Sequence, residues 1–212
     1  MISKKNKVSN QLNFIDMMRN FLLSTLVWVS ATMFLHGQER DKGSIELIPQ
    51  LGYSNSFLNG ENVNTSDTRG ALRLGVTADY YFNDRWSFRS GLLYNGMGAA
   101  NDVSELQLDY LNIPLNANWH FGSTRKWNLN FGITPGFLLT AKADGVDVKE
   151  FYKSFQVGIS YGIGYKLEIS ENFSLLFDTQ GLVGITNILE SRVSLNRLNA
   201  GSSLNIGGVF SF

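Results

Sequence analysis

From Ser44 to the C-terminus, apolar residues recur at every second position through eight successive stretches. A period of two belongs to strands with unlike faces, and it cannot be buried on one side of a helix. In the first stretch, Ser44 to Tyr53, one face carries Ile45, Leu47, Pro49, Leu51 and Tyr53. The second, Ala71 to Phe82, sets Leu72, Leu74, Val76, Ala78, Tyr80 and Phe82 against Arg73, Gly75, Thr77 and Asp79. The third, Trp86 to Asn95, sets Trp86, Phe88, Leu92 and Tyr94 against Ser87, Arg89, Gly91 and Asn95. The same alternation returns in Trp127 to Ala141, Phe155 to Leu167, Phe173 to Gly184 and Ser202 to Phe212. Each stretch is about ten residues long, which is what a tilted membrane-crossing strand requires. The expectation is an all-β fold, an eight-stranded antiparallel up-and-down transmembrane β-barrel.

The fourth stretch, Leu106 to Phe121, changes phase. Its apolar residues are even-numbered through Leu106, Leu108 and Tyr110, then odd-numbered through Leu111, Ile113, Leu115, Ala117, Trp119 and Phe121. One extra residue in a strand produces such a slip, so a β-bulge is expected near Tyr110 and Leu111.

Connections alternate in length. Asn83 to Arg85, Gly122 to Lys126 and Glu168 to Asn172 are short, whereas Ser54 to Arg69, Gly96 to Glu105, Lys142 to Ser154 and Ile185 to Gly201 are long. That places the short turns and both ends of the barrel at one rim, the plan of outer-membrane barrels with short periplasmic turns.

Alternation alone does not say which face is outside. A soluble exported lipocalin-like barrel buries the apolar face around a greasy ligand; a membrane barrel turns it toward lipid. Three features favour lipid. Aromatic residues gather beside every short turn: Phe82 and Trp86; Trp119, Phe121 and Trp127; Phe173; Phe210 and Phe212. Such rings suit the headgroup layer. The opposite face holds glycines with Glu46, Arg73, Asp79, Arg89, Lys166 and Asp178, charges that balance and can pair in a narrow lumen. An arginine or lysine facing the bilayer midplane instead costs about 2–4 kcal/mol. Third, Phe212 closes an amphipathic strand on an aromatic, which looks like the assembly signal read by the outer-membrane insertion machinery.

Composition closes other routes. Lys+Arg and Asp+Glu both number 18, which offers no basic surface for nucleic acid. Cys is 0, so disulfides, thiolate metal sites and cysteine lipidation are out. A mean hydropathy of −0.07 is too polar for a bundle of membrane helices.

Ahead of the barrel, Lys4, Lys5, Lys7 and Arg19 precede an apolar run from Phe21 to about Leu35. A basic segment followed by a short apolar one describes a secretory signal, here residues 1–37, leaving 38–212 as a mildly acidic mature domain. A single anchor helix is the alternative reading. The long basic segment leaves the start open between Met1 and Met17 or Met18.

Tyr110-Leu111-Asn112-Ile113-Pro114-Leu115 resembles the Tyr-Leu-Glu-Ile-Pro-Leu strand motif of the PorT-like outer-membrane β-barrel family. Asn130 to Gly136, with Pro135-Gly136, is similar to that family's next strand, and Asp178 to Gly184 and Gly207 to Phe212 to its last two. The resemblance implies a Gram-negative outer-membrane location, and some members serve protein secretion. Asn112 stands where the family usually carries an inward carboxylate, so the ion pair that the resemblance implies there lacks its acid in this chain.

Chemistry-bearing residues are few. Of two histidines, His36 leaves with the signal and His120 falls at the periplasmic end of the lumen face, far from where an outer-leaflet hydrolase needs its base. Glu46, Asp79 and Asp178 are expected to pair with Arg73, Arg89 and Lys166 rather than to act as acid and base. Gly158 to Gly164 keeps period two and precedes no helix, so it reads as lumen-facing strand, not a phosphate loop. Asp144, Asp147 and Glu150 could hold Ca²⁺ but are expected to be a solvated loop. The Asn187 to Asn199 link, with Arg192 and Arg197, could contact lipopolysaccharide phosphates, a solvated loop being the plainer reading. No catalytic, cofactor-binding or metal-binding residue is assigned. The expected role is structural, adhesive or that of an interaction module, with secretion association implied by the family resemblance and an outer-membrane lipid-modifying enzyme as the rival from another class. Eight strands leave an interior just wide enough for side chains, so no general diffusion pore is expected. Expected partners are outer-membrane lipid and lipopolysaccharide, the insertion machinery during assembly, and an unidentified envelope protein.

Overall fold

The computed structural model describes residues 41–60, 67–190 and 195–212. The expected signal sequence, with His36, and the loop residue Arg192 lie outside the described residues.

The wall is built from β1 (Ile45–Gly60), β2 (Thr68–Tyr81), β3 (Trp86–Ala100), β4 (Glu105–Asn112), β5 (Leu115–Phe121), β6 (Trp127–Ala143), β8 (Phe155–Ser170), β9 (Phe173–Gly184) and β10 (Arg197–Ser211). The two-residue β7 (Val146–Asp147) folds back on β6, and a 3₁₀ turn follows at Lys149–Phe151. With β4 and β5 taken as one interrupted strand, eight antiparallel strands pair in sequence order, and β10 returns to β1 to close the ring. The closing ladder runs from Glu46↔Ser211 to Gly60↔Arg197, and Phe212 N donates to Ile45 O at 2.9 Å. Closure leaves no edge strand, which is why such a sheet can stand in hydrocarbon.

The apolar face is outside. Leu74, Phe131 and Ile163 are 42%, 48% and 39% exposed, whereas Asp79 and Lys166 are both 0% exposed. This excludes the soluble carrier with a buried greasy face. On β1 the outward apolar set spans Ile45 to Tyr53, and at about 3.3 Å per residue and a 35–45° tilt it makes a band about 20 Å tall.

Aromatic rings mark the periplasmic rim as the sequence suggests. Trp86, Trp119, Phe121, Trp127 and Tyr165 form a continuous row across β3, β5, β6 and β8, with ring centroids 4.9–6.3 Å apart. Phe173 and Phe210 meet at 5.1 Å on β9 and β10.

Two expectations need correction. The phase change in the fourth stretch is not an extra residue of that strand, because Leu108, Tyr110, Asn112, Asn116, Asn118 and His120 are all buried and all even-numbered. Its inward side changes from apolar to polar instead. A register shift does occur at Asp109/Tyr110, but Asp109 pairs with Thr140 and Tyr110 with Leu138, so the extra residue is Leu139 on β6. The chain is also interrupted at Ile113 and Pro114, where proline has no N–H to give a ladder.

Nor are the first two long links mainly loops. β1 runs to Gly60 and β3 to Ala100, so much of their length is strand rising above the apolar band. The three short turns are as expected, the tightest leaving only Glu171 and Asn172 between β8 and β9.

The interior has two halves. The periplasmic half is mainly polar, with a small apolar cluster of Ile48, Leu176 and Val209. The outer half is filled by Leu58, Met97, Leu108, Tyr110, Leu138 and Leu182, together with Ile188 from the last loop.

Candidate functional site

The six charged residues of the lumen face lie on five strands, and alternation aims each inward. β1 supplies Glu46, β2 Arg73 and Asp79, β3 Arg89, β8 Lys166 and β9 Asp178. Five of them converge. Arg89 meets Asp79 through two hydrogen bonds, Nε to Oδ1 at 2.7 Å and Nη2 to Oδ2 at 2.8 Å, and its Nη1 reaches Asp178 Oδ2 at 3.4 Å. Lys166 Nζ donates to Glu46 Oε2, lies 3.7 Å from Asp79 Oδ2, and donates to Tyr81 Oη at 2.8 Å. Tyr81 in turn donates to Glu46 Oε2 at 2.9 Å. Remaining carboxylate lone pairs take Asn118 Nδ2 on Asp79, and Asn205 Nδ2 and Gln180 Nε2 on Asp178. Buried charges are tolerable only when paired and hydrogen-bonded in this way.

Arg73 departs from the expected pairing. It donates to Ser203 Oγ at 2.8 Å, reaches no carboxylate among the described residues within ion-pair distance, and its Nε is buried without a hydrogen-bond partner. Asn112, in place of the family carboxylate, is buried with Oδ1 unsatisfied. Both line the same small cavity at mid-barrel.

That cavity measures about 20 Å³, and a second, between Ser54, Asn95, Met97 and Ser203, about 10 Å³. Room for one water needs roughly 10–15 Å³. Polar packing below and apolar packing above leave no space for a solute of any size.

His120 is fully buried at the periplasmic end. Its Nε2 lies 2.9 Å from Ser87 Oγ and its ring packs on Tyr81 with centroids 4.8 Å apart. The pair resembles a nucleophile and its base, but Ser87 and His120 are 1% and 0% exposed. A substrate carbonyl has no route to the serine oxygen, and catalysis requires that reach. Ser87, Tyr81 and Asn118 stand in no recognisable motif, and in the sequence only their inward parity marks them.

The other candidates resolve into local structure. Asp144 Oδ1 accepts Glu105 N at 2.7 Å and Asp147 Oδ1 accepts Lys149 N at 2.8 Å, so these carboxylates fix turns rather than converge. Among the described residues no group of three or more His, Cys, Asp or Glu could hold a metal ion. Gly158, Gly162 and Gly164 are buried lumen-facing strand residues. In the last link, Asn187 Oδ1 accepts Leu189 N at 3.1 Å and Arg197 N at 2.9 Å, holding the loop that lowers Ile188 into the lumen. Tyr152, on the loop bridged to Leu189, has its phenol pushed up by burial, partly offset by Arg197.

Neisserial surface protein A superposes with a TM-score of 0.55 at 12% identity, covering 80% of this chain and 99% of that one. OprG from Pseudomonas aeruginosa gives 0.48 at 12% identity (81% and 97% covered), and Ail of Yersinia pestis 0.43 at 13% (81% and 99%). No curated protein matches the sequence. The family described as outer membrane protein beta-barrel domain matches residues 37–190, most of the barrel. The closed ring of strands with its outward apolar wall agrees with that description, and the protein belongs to the outer membrane protein beta-barrel domain family, resident in the Gram-negative outer membrane.

Proposed function

We propose that this barrel serves the outer membrane as a structural, adhesive or interaction module, working through its wall and outer loops, and not as a pore or an enzyme. The observation that carries the reading is a lumen shut twice over. The Glu46–Lys166–Asp79–Arg89–Asp178 cluster fills its periplasmic half, and the Met97–Tyr110–Leu138–Leu182 packing fills its outer half. Reconstitution in planar bilayers tests it: the expected trace has no steady large-conductance steps, and such steps overturn the reading.

The finer parts of the proposal rest on sequence. The Tyr110 to Leu115 motif supports a place in the PorT-like branch, where a secretion-associated role enters. Residues 1–37 act as a cleaved export signal, leaving 38–212, which mass measurement of the mature protein checks directly. Lipopolysaccharide is the expected lipid partner, the insertion machinery acts during assembly, and an envelope protein is the expected client of the outer loops. Co-purification from intact outer membrane identifies that client.

A further inference from the structure

The charges of the lumen face balance, with Glu46, Asp79 and Asp178 against Arg73, Arg89 and Lys166, yet the pairing leaves Arg73 aside. Glu46 and Asp79 share Lys166, and Asp79 and Asp178 share Arg89. Arg73 Nη1 donates to Ser203 Oγ at 2.8 Å, and its Nε is buried with no hydrogen-bond partner. A guanidinium does not shed its proton, so its charge must be solvated by whatever surrounds it. Asn112 carries the complementary deficit: it is 3% exposed, and its Oδ1 accepts no hydrogen bond. A buried donor and a buried acceptor left open each forfeit a hydration that nothing replaces.

Both residues line the same mid-barrel cavity, and its volume of about 20 Å³ exceeds the roughly 10–15 Å³ that one water needs. The smaller cavity beside Asn95, about 10 Å³, only reaches that limit. The larger one lies where β4 stops at Asn112 and β5 starts at Leu115, and Pro114, which interrupts the two, is part of its wall. Other polar groups on the wall are bonded to one another. Thr134 Oγ1 donates to Ser160 Oγ at 2.8 Å, and Ser160 Oγ donates to Asn116 Oδ1 at 2.8 Å. With its proton engaged, the Thr134 hydroxyl still has a lone pair to accept with.

An occupant that answers both deficits accepts from Arg73 Nε and donates to Asn112 Oδ1. Water does both. A halide or a carboxylate only accepts, and Asp178 on the same wall repels it; a metal cation is repelled by the guanidinium. We propose that this cavity is a binding site for one ordered water, which accepts from Arg73 Nε and donates to Asn112 Oδ1, so that solvent instead of a carboxylate holds the Arg73 charge inside the barrel. Thr134 Oγ1 is the acceptor for its second proton, which brings the water to the three partners usual for a buried one. The site is a dead end and leaves the lumen closed.

Magic-angle-spinning NMR of the ¹⁵N-labelled barrel in phosphatidylcholine liposomes tests the site, with Arg73→Gln identifying the Arg73 Nε signal by its disappearance. Magnetisation started on water is expected to reach Arg73 Nε at least tenfold faster than Arg89 Nε, whose proton is engaged by Asp79. Equal transfer to the two overturns the proposal. Asn112→Leu fills the space and removes the acceptor, and is expected to abolish the fast transfer. Persistence in that variant means that the protons arrive through the Ser203 hydroxyl, and overturns the proposal too. Exchanging chloride for gluconate in the buffer is expected to leave the Arg73 Nε frequency where it was; a shift assigns the cavity to a small anion instead. The Arg73–Arg89 comparison and the chloride exchange use the parent chain, so they decide the matter should Asn112→Leu fail to fold.

Discussion

Arg89 grips both carboxylate oxygens of Asp79 from the adjacent strand, at 2.7 and 2.8 Å, with neither residue more than 3% exposed. The two are directly opposite in the β2–β3 register, so the pair ties the lower halves of two strands whose ladder ends at Arg73↔Asn95.

Breaking that grip is expected to cost far more than losing Arg73. Asp79→Ala leaves Arg89 and Lys166 buried with one carboxylate fewer, and removing one partner of a buried pair costs about 3–5 kcal/mol. Arg73→Gln forfeits one hydrogen bond to Ser203, about 1 kcal/mol. Urea unfolding in detergent micelles or liposomes measures both, and equal losses would show that pairing does not govern the lumen.

Asp79→Ala combined with Arg89→Ala is expected to be less damaging than the sum of the two single changes, because the second substitution removes the charge the first one stranded. Residues in one ion-pair network couple by about 0.5–3 kcal/mol. A double-mutant cycle on the same unfolding measurement reads the sign; strict additivity contradicts the geometry.

The wall orientation predicts an asymmetry between neighbours in sequence. Leu74→Arg puts a charge in the lipid-facing band and is expected to destabilise by about 2–4 kcal/mol in liposomes. Arg73, one residue earlier, already carries that charge on the inner side. Leu74→Arg folding as well as the parent overturns the lipid-facing assignment.

At the periplasmic rim, Trp127 sits between Phe121 and Tyr165 in the row of rings. Trp127→Ala removes both contacts, each worth about 0.5–1.5 kcal/mol beyond area burial, and is expected to lower folding yield into vesicles. Phe212→Ala is expected to impair assembly in cells. Heat-modifiable mobility on gels reads both; unchanged mobility and yield speak against a role for the girdle.

Outer-half packing makes a further prediction about conductance. Asp79→Ala alone is expected to remain non-conducting, because Met97, Tyr110 and Leu138 still close the other end. Large steady channels from this one variant would show that the apolar packing is no barrier.

Strand identity, ring size and the facing of most wall residues outside Leu106 to Tyr110 were legible in the sequence, because lipid outside imposes a period of two on every wall strand. Asp79, Arg89, Lys166 and Glu46 could be assigned to one interior from parity alone. Their partners could not, since strand tilt decides which inward residues share a level, and Arg73 lands beside Ser203 instead of a carboxylate.

Residues Leu106 to Phe121 mark the limit most sharply. A bulge and a change in what the lumen contains both swap the parity of apolar residues, so no reading of β4 alone separates them. Alternation, together with the aromatic residues at the rim and the charges on the opposite face, pointed in the sequence to a closed sheet with greasy walls. Only the tertiary structure decided that the outer half of the lumen is apolar, that the extra residue is Leu139 on β6, and that β2 and β3 part above Asn95. Each of those depends on which side chains meet across the barrel, a relation between distant segments that no local pattern records.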